Sequence, residues 1–129
     1  MRVFLDSSPV IYLIEWHSLF GPKTANWIAA HATELIASEI TRVETLIVPV
    51  RVNDPVRIKD FEMFFAKRVS QLATFDRIAF NRAIQIRAGF GFKLIDSLQL
   101  AIAIESACDV FLTNDHRLKQ FTGIRVEVV

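Results

Sequence analysis

Short apolar runs, each closed at once by a residue able to start a helix, recur along this chain and constrain its fold most. Val3-Phe4-Leu5 is followed by Asp6-Ser7-Ser8, Leu35-Ile36-Ala37 by Ser38, and Val110-Phe111-Leu112-Thr113 by Asn114-Asp115. Runs this short and apolar at consecutive positions fit strands buried on both faces, as in a parallel sheet. Parallel neighbours need crossover connections, usually helical. The alternation therefore predicts an α/β protein in three α/β/α layers, with a central parallel sheet of four to five strands. No repeat, low-complexity tract or linker interrupts residues 1–129, so a single domain is expected.

The segments between the strands carry helix signals. Ser7 or Ser8 can cap a first helix with Pro9 in its first turn, and Gly21-Pro22 starts a second through Trp27 and Ile28. Ser38 caps a helix with Ile40, Val43, Leu46 and Ile47 at helical spacing, which Pro49 should end or kink. Asn53 or Asp54 caps the next, whose stripe of Phe61, Phe64, Phe65 and Val69 either fills the core or docks a partner. Gln71 to Phe75 is a weak strand, and Asp76 caps a helix ending at Gly89. Leu94 to Ala107 is apolar on most sides, as a buried central helix would be. A short helix follows Asn114 or Asp115, and a last strand, Ile124 to Val128, has the alternation of a sheet edge.

Four acids stand at these junctions: Asp6, Glu44, Asp96 and Asp115. In an open parallel sheet, strand carboxyl ends and the helix starts facing them share one rim, where ligands bind. Carboxylates gathered there repel one another, and a divalent cation relieves the repulsion. All-oxygen ligation favours Mg²⁺ or Mn²⁺, ions suited to phosphodiester hydrolysis. Each acid also has a plain structural role open to it: a helix cap for Asp96 or Asp115, a turn for Asp6, a solvated helix face for Glu44. Ser7 and Thr113 adjoin two of the acids and are suited to hydrogen-bond a carboxylate, or simply to close local turns.

Other chemistries lack support. His17, His31 and His116 have no zinc-ligand spacing, and there is neither a Gly-rich phosphate loop nor a G-x-S-x-G elbow. The single cysteine, Cys108, forms no intramolecular disulfide and suits a buried, inert thiol in a reducing cytoplasm. No apolar run approaches the roughly 18 residues of a membrane span, and Asp6 and Glu15 spoil a secretion signal. Net charge is +1, yet setting the four acids aside leaves ten acidic against 15 basic residues. That surplus suits a polyanionic substrate.

The ordered segments LDSS, SEITRVETL, KLIDSLQLAIAIE and FLTNDHRL resemble those of PIN-domain nucleases, most closely the VapC-like toxins of toxin–antitoxin pairs. The resemblance implies a metal-dependent endoribonuclease in which Asp6, Glu44, Asp96 and Asp115 are catalytic. Asp6, Asp96 and Asp115 would bind Mg²⁺ or Mn²⁺, while Ser7, Thr113 and Asn114 would support them. Arg42, Lys93, His116 and Arg117 are candidates for RNA backbone contacts, or else solvated charges. An antitoxin partner and a homodimer are also implied. The remaining alternatives are an RNA-processing PIN nuclease without an antitoxin and a non-catalytic PIN-like binding module. Two positions depart from the family pattern: Ser8, where Asn is common, and Gln99, where small or aliphatic residues are commoner. Gln99 faces either the site or a dimer partner.

Overall fold

The computed structural model describes residues 1–129. Five strands alternate with helices: β1 (Arg2–Leu5), α1 (Ser7–Ile14), α2 (Phe20–His31), β2 (Glu34–Ser38), α3 (Glu39–Arg51), α4 (Pro55–Lys67), β3 (Gln71–Ala73), α5 (Arg77–Phe90), α6 (Leu94–Glu105), β4 (Val110–Thr113), a 3₁₀ turn (His116–Gln120) and β5 (Arg125–Val128). All pairings are parallel, in the order β3-β2-β1-β4-β5. The chain thus winds outward one way from β1 through β2 to β3, then returns to β4 on the other side. The expected three-layer parallel sheet is present.

Alternation along β1 divides the interior. Val3 and Leu5 join Leu35, Ala37, Phe61, Phe64, Phe65, Val110 and Leu112 on one face. Phe4 joins Ile36, Phe111, Leu100 and the buried alanines of α5 and α6 on the other. Phe4 and Phe111 stack at 5.4 Å between centroids, fixing the register of β1 on β4 in the heart of the domain. The phenylalanine stripe of α4 is therefore core. So is α6, whose residues Leu100 to Ala103 are all buried.

Several local expectations need correction. Asp6, not Ser7 or Ser8, is the N-cap of α1: its carboxylate accepts from the Ser7 N–H. Pro49 does not end α3, which runs on to Arg51; a proline costs one bond to the preceding turn, and the helix retains the rest. Helix α5 passes through Gly89 and closes at Gly91, which holds the left-handed conformation (φ 73°) that glycine takes without strain. The apolar row of α3 points outward, with Val43 51% and Ile47 50% exposed, while Thr41, Thr45 and Pro49 face in.

The cap of α5 behaves as its sequence suggests, Asp76 Oδ1 accepting from the Ala79 N–H at 2.9 Å. Asp76→Ala is expected to destabilise the domain by about 1 kcal/mol and leave the four acids' chemistry unchanged. Urea unfolding checks this; an unaltered midpoint would contradict it.

Candidate active site

The strand order reverses between β1 and β4, and in open α/β sheets that switch point is where ligands bind. Asp6 directly follows β1 and Asp115 follows β4 by two residues. The Asp6 N–H continues the ladder to the Leu112 carbonyl at 3.0 Å, which sets Asp6 beside Thr113. One Asp6 oxygen accepts from the Ser7 N–H at 2.9 Å and the other from Thr113 Oγ1 at 2.8 Å. Thr113 Oγ1 in turn accepts from the Asp115 N–H at 3.1 Å. Thr113 thus couples the first and fourth acids, a role its position in the sequence allowed.

Asp96 lies in the first turn of α6, and Lys93 at the N-cap supplies no side-chain bond. Its carboxylate is therefore not spent on capping. Glu44 stands on α3, half-buried.

Charge effects show that the four acids share one space. Burial first, then the charges of Asp6 and Asp115, push the Asp96 carboxyl above its ordinary value; Arg117 and Lys93 oppose this. Burial, then Asp6 and Asp96, raise Glu44, against a hydrogen bond from Ser7. Burial also raises Asp6, and Asp115 adds to it, while hydrogen bonds from Thr113, Ser7 and Gln99 pull the other way. Asp115 has the opposite sign, because a hydrogen bond from Arg117 holds it low. Every pairing except Glu44 with Asp115 is felt electrostatically.

Arg117 is the cation already at hand. Its guanidinium takes Asp115 in a fork, Nε to Oδ1 at 3.0 Å and Nη2 to Oδ2 at 2.5 Å, and reaches Asp96 Oδ2 at 3.8 Å. Lys93 is close enough to lower both Asp96 and Asp115. His116 is exposed at the head of the 3₁₀ turn. Two expected residues are elsewhere. Arg42 pairs with Glu62 at 2.9 Å and Glu39 at 3.3 Å, tying α3 to α4. Asn114 donates its amide to the Val129 carbonyl and pins the chain end to β4 instead of supporting the acids.

Does this arrangement suit a divalent cation? The donor set does: carboxylate oxygens whose charged form is disfavoured first by burial and then by one another's charge gain most from a hard cation. No three acid side chains stand at ligation distance of a common point in the present side-chain arrangement, with Arg117 bridging Asp115 and Asp96. The chemistry of the donor set fits such an ion, and Asp6, Asp96 and Asp115 are the residues that would hold it.

Gln99 is the residue whose direction the sequence left open. It points inward, fully buried, behind Asp6. Its burial is legible only in hindsight, as a polar position just before the apolar stretch Leu100 to Ile104.

Comparison with known proteins places this geometry in context. The chain is similar in structure to VapBC2 from Rickettsia felis bound to promoter DNA, at 16% identity and a TM-score of 0.78, over 100% of this chain and 99% of that one. DNA-bound VapBC from Salmonella typhimurium gives 21% identity and a TM-score of 0.78, covering 99% and 98%. VapC20 from Mycobacterium tuberculosis, a toxin cleaving the sarcin–ricin loop, gives 12% and 0.74, covering 95% and 98%. Among curated proteins, no sequence matches. At these identities the structural likeness speaks for the fold alone. The profile of the PIN domain, however, matches residues 3–124, nearly the whole chain, so the protein belongs to the PIN-domain family.

Proposed function

We propose that this PIN-domain protein is a Mg²⁺- or Mn²⁺-dependent endoribonuclease acting as the toxin of a toxin–antitoxin pair. The observation that carries the reading is the convergence of Asp6, Glu44 and Asp96 at the sheet's switch point, where burial and then one another's charge disfavour their ionised forms, a cost that a structural role does not require. Asp6, Asp96 and Asp115 would hold the cation. When bound, it would lower the pKa of a water and neutralise charge gathering on the phosphate oxygens. Thr113 and the Ser7 N–H hold the Asp6 carboxylate in one rotamer, leaving its remaining lone pairs for the cation. Glu44, whose carboxyl burial and the charges of Asp6 and Asp96 push above its ordinary value, would accept a proton from the attacking water. Arg117, released from Asp115, and Lys93 would take the RNA phosphates.

Two apolar depressions support protein partners. One lies on α3, the helix of Glu44, lined by Val43, Leu46, Ile47 and Val50, with a volume of about 410 Å³. The other runs between α5 and α6, lined by Phe80, Ile84, Leu94 and Leu98, with about 400 Å³. They offer faces for a second copy and for an antitoxin segment, and the Arg117 fork indicates that a guanidinium is accommodated at the acids. No helix is long and apolar enough to cross a membrane.

The toxin reading has a direct cellular test. Induced expression in a bacterial host should arrest growth within a few generations, and the Asp96→Asn form, made to the same level, should not. Equal harmlessness of both would favour an RNA-processing nuclease or a binding module. Equal toxicity of both would remove the acids from the account.

A further inference from the structure

The interior behind the acids contains one closed polar relay. Gln99, on α6, is 0% exposed. Its Oε1 accepts from Ser38 Oγ, and its Nε2 donates to Thr41 Oγ1 at 2.8 Å. Thr41 Oγ1 donates in turn to the Leu5 carbonyl at 3.1 Å. Ser38 Oγ accepts from the N–H groups of Ile40 and Thr41, and Thr41 Oγ1 from that of Ser38, so every member is satisfied. Ser38 and Thr41 are themselves 0% exposed.

Such a network is an expensive way to pack two helices and two strands. An aliphatic residue at position 99 would fill the space without desolvating an amide. What a satisfied buried network adds is a fixed geometry, because any shift leaves several groups unpaired at once. The anchor points of this one are telling. Gln99 lies one turn after Asp96 on α6, Thr41 lies one turn before Glu44 on α3, and Leu5 immediately precedes Asp6. The relay thus joins the three elements that carry the three mutually repelling acids.

We infer that Gln99 is a positioning residue of the acid site: through Ser38 and Thr41 it fixes the spacing of Asp6, Glu44 and Asp96 against their repulsion, so that a divalent cation binds without a rearrangement of the backbone. This rests on the metal-dependent reading of the site.

The test measures Mn²⁺ binding by calorimetry, and RNA cleavage separately, for the parent, Gln99→Met, Thr41→Val and Thr41→Ser. Ile86→Val, in the core on α5 and away from the relay, serves as a control for lost stability. Gln99→Met and Thr41→Val should weaken Mn²⁺ binding about 10- to 100-fold and lower kcat with KM little changed, while Thr41→Ser, which keeps the hydroxyl, should stay within about threefold of the parent. Ile86→Val should bind Mn²⁺ as the parent does despite a lower Tm. Should Gln99→Met fail to fold, the Thr41→Val and Thr41→Ser pair decides alone. Unchanged Mn²⁺ affinity in both relay variants would overturn the proposal, as would an equal loss in Ile86→Val. Failure of the parent itself to bind Mn²⁺ would overturn the metal-dependent reading, and the relay's role with it.

Discussion

Asp96→Asn is expected to slow RNA cleavage by about 10³-fold, the loss of roughly 4 kcal/mol of transition-state stabilisation when a metal ligand is removed. The substitution keeps the shape of the side chain and removes its charge. Asp96 has no structural employment that would confuse the result: it caps nothing, and its one ionic contact is Arg117 at 3.8 Å. Far-UV circular dichroism should therefore be unchanged while the rate collapses. A rate within threefold of the parent, with RNA and Mg²⁺ saturating, would take Asp96 out of the catalytic set.

The second large effect is on stability without metal. Asp6, Glu44 and Asp96 have folded-state pKa values above their ordinary ones, so the folded protein holds these protons more tightly than the unfolded chain. Between the ordinary values, 3.8 for Asp and 4.5 for Glu, and the raised ones, unfolding releases protons. Stability in EDTA must therefore fall as pH rises through that interval. Asp115 contributes oppositely: its lowered pKa gives stability that is present above its ordinary value and lost as pH falls through the folded one. It is more exposed than Asp6, and its pairing with Arg117 is screened by solvent, so the three raised acids dominate.

It follows that the acids destabilise the metal-free fold at neutral pH. Asp96→Asn in EDTA at pH 7 should raise Tm by about 4 °C, equivalent to about 1 kcal/mol in a domain of this size. Mg²⁺ or Mn²⁺ at 100 times its Kd should stabilise the parent by about 2.7 kcal/mol and the variant hardly at all. Thermal scans from pH 4 to 8, with EDTA and with metal, check both statements. A parent whose Tm in EDTA climbs steadily with pH, or a variant that gains as much from metal, would contradict them.

Much of the domain was legible in the sequence because strands and caps leave local signals. Val3-Phe4-Leu5 and Val110 to Thr113 are buried on both faces, so their apolar runs are unbroken, and the acids just beyond them fall at the switch point by topology alone. The orientation of α3 was not legible. Its outward row of Val43 and Ile47 has the composition of a core face, while its true inner face carries Thr41 and Thr45. Those hydroxyls are tolerated inside because Thr41 finds the Leu5 carbonyl and Thr45 the Arg42 carbonyl, partners no hydropathy pattern reveals. Arg42 was misplaced for a related reason. Two residues along a helix lie on nearly opposite sides, so closeness to Glu44 in sequence turned Arg42 away from it and towards Glu62. Asn114 likewise adjoins an acid in sequence but is drawn off by the Val129 carbonyl. Gln99 stood out as an oddity of composition; only the packing of α6 against the end of β2 and the first turn of α3 gives it a direction.

The central claim, that the acid rim hydrolyses RNA with a divalent cation, is tested most directly by one measurement on the purified chain. A single-stranded RNA labelled at its 5′ end is incubated with protein in Mg²⁺ or Mn²⁺, then in EDTA, then with metal restored. Internal cleavage that stops in EDTA and resumes with metal is the predicted result. Cleavage persisting in EDTA, or none under any metal condition, would contradict the account.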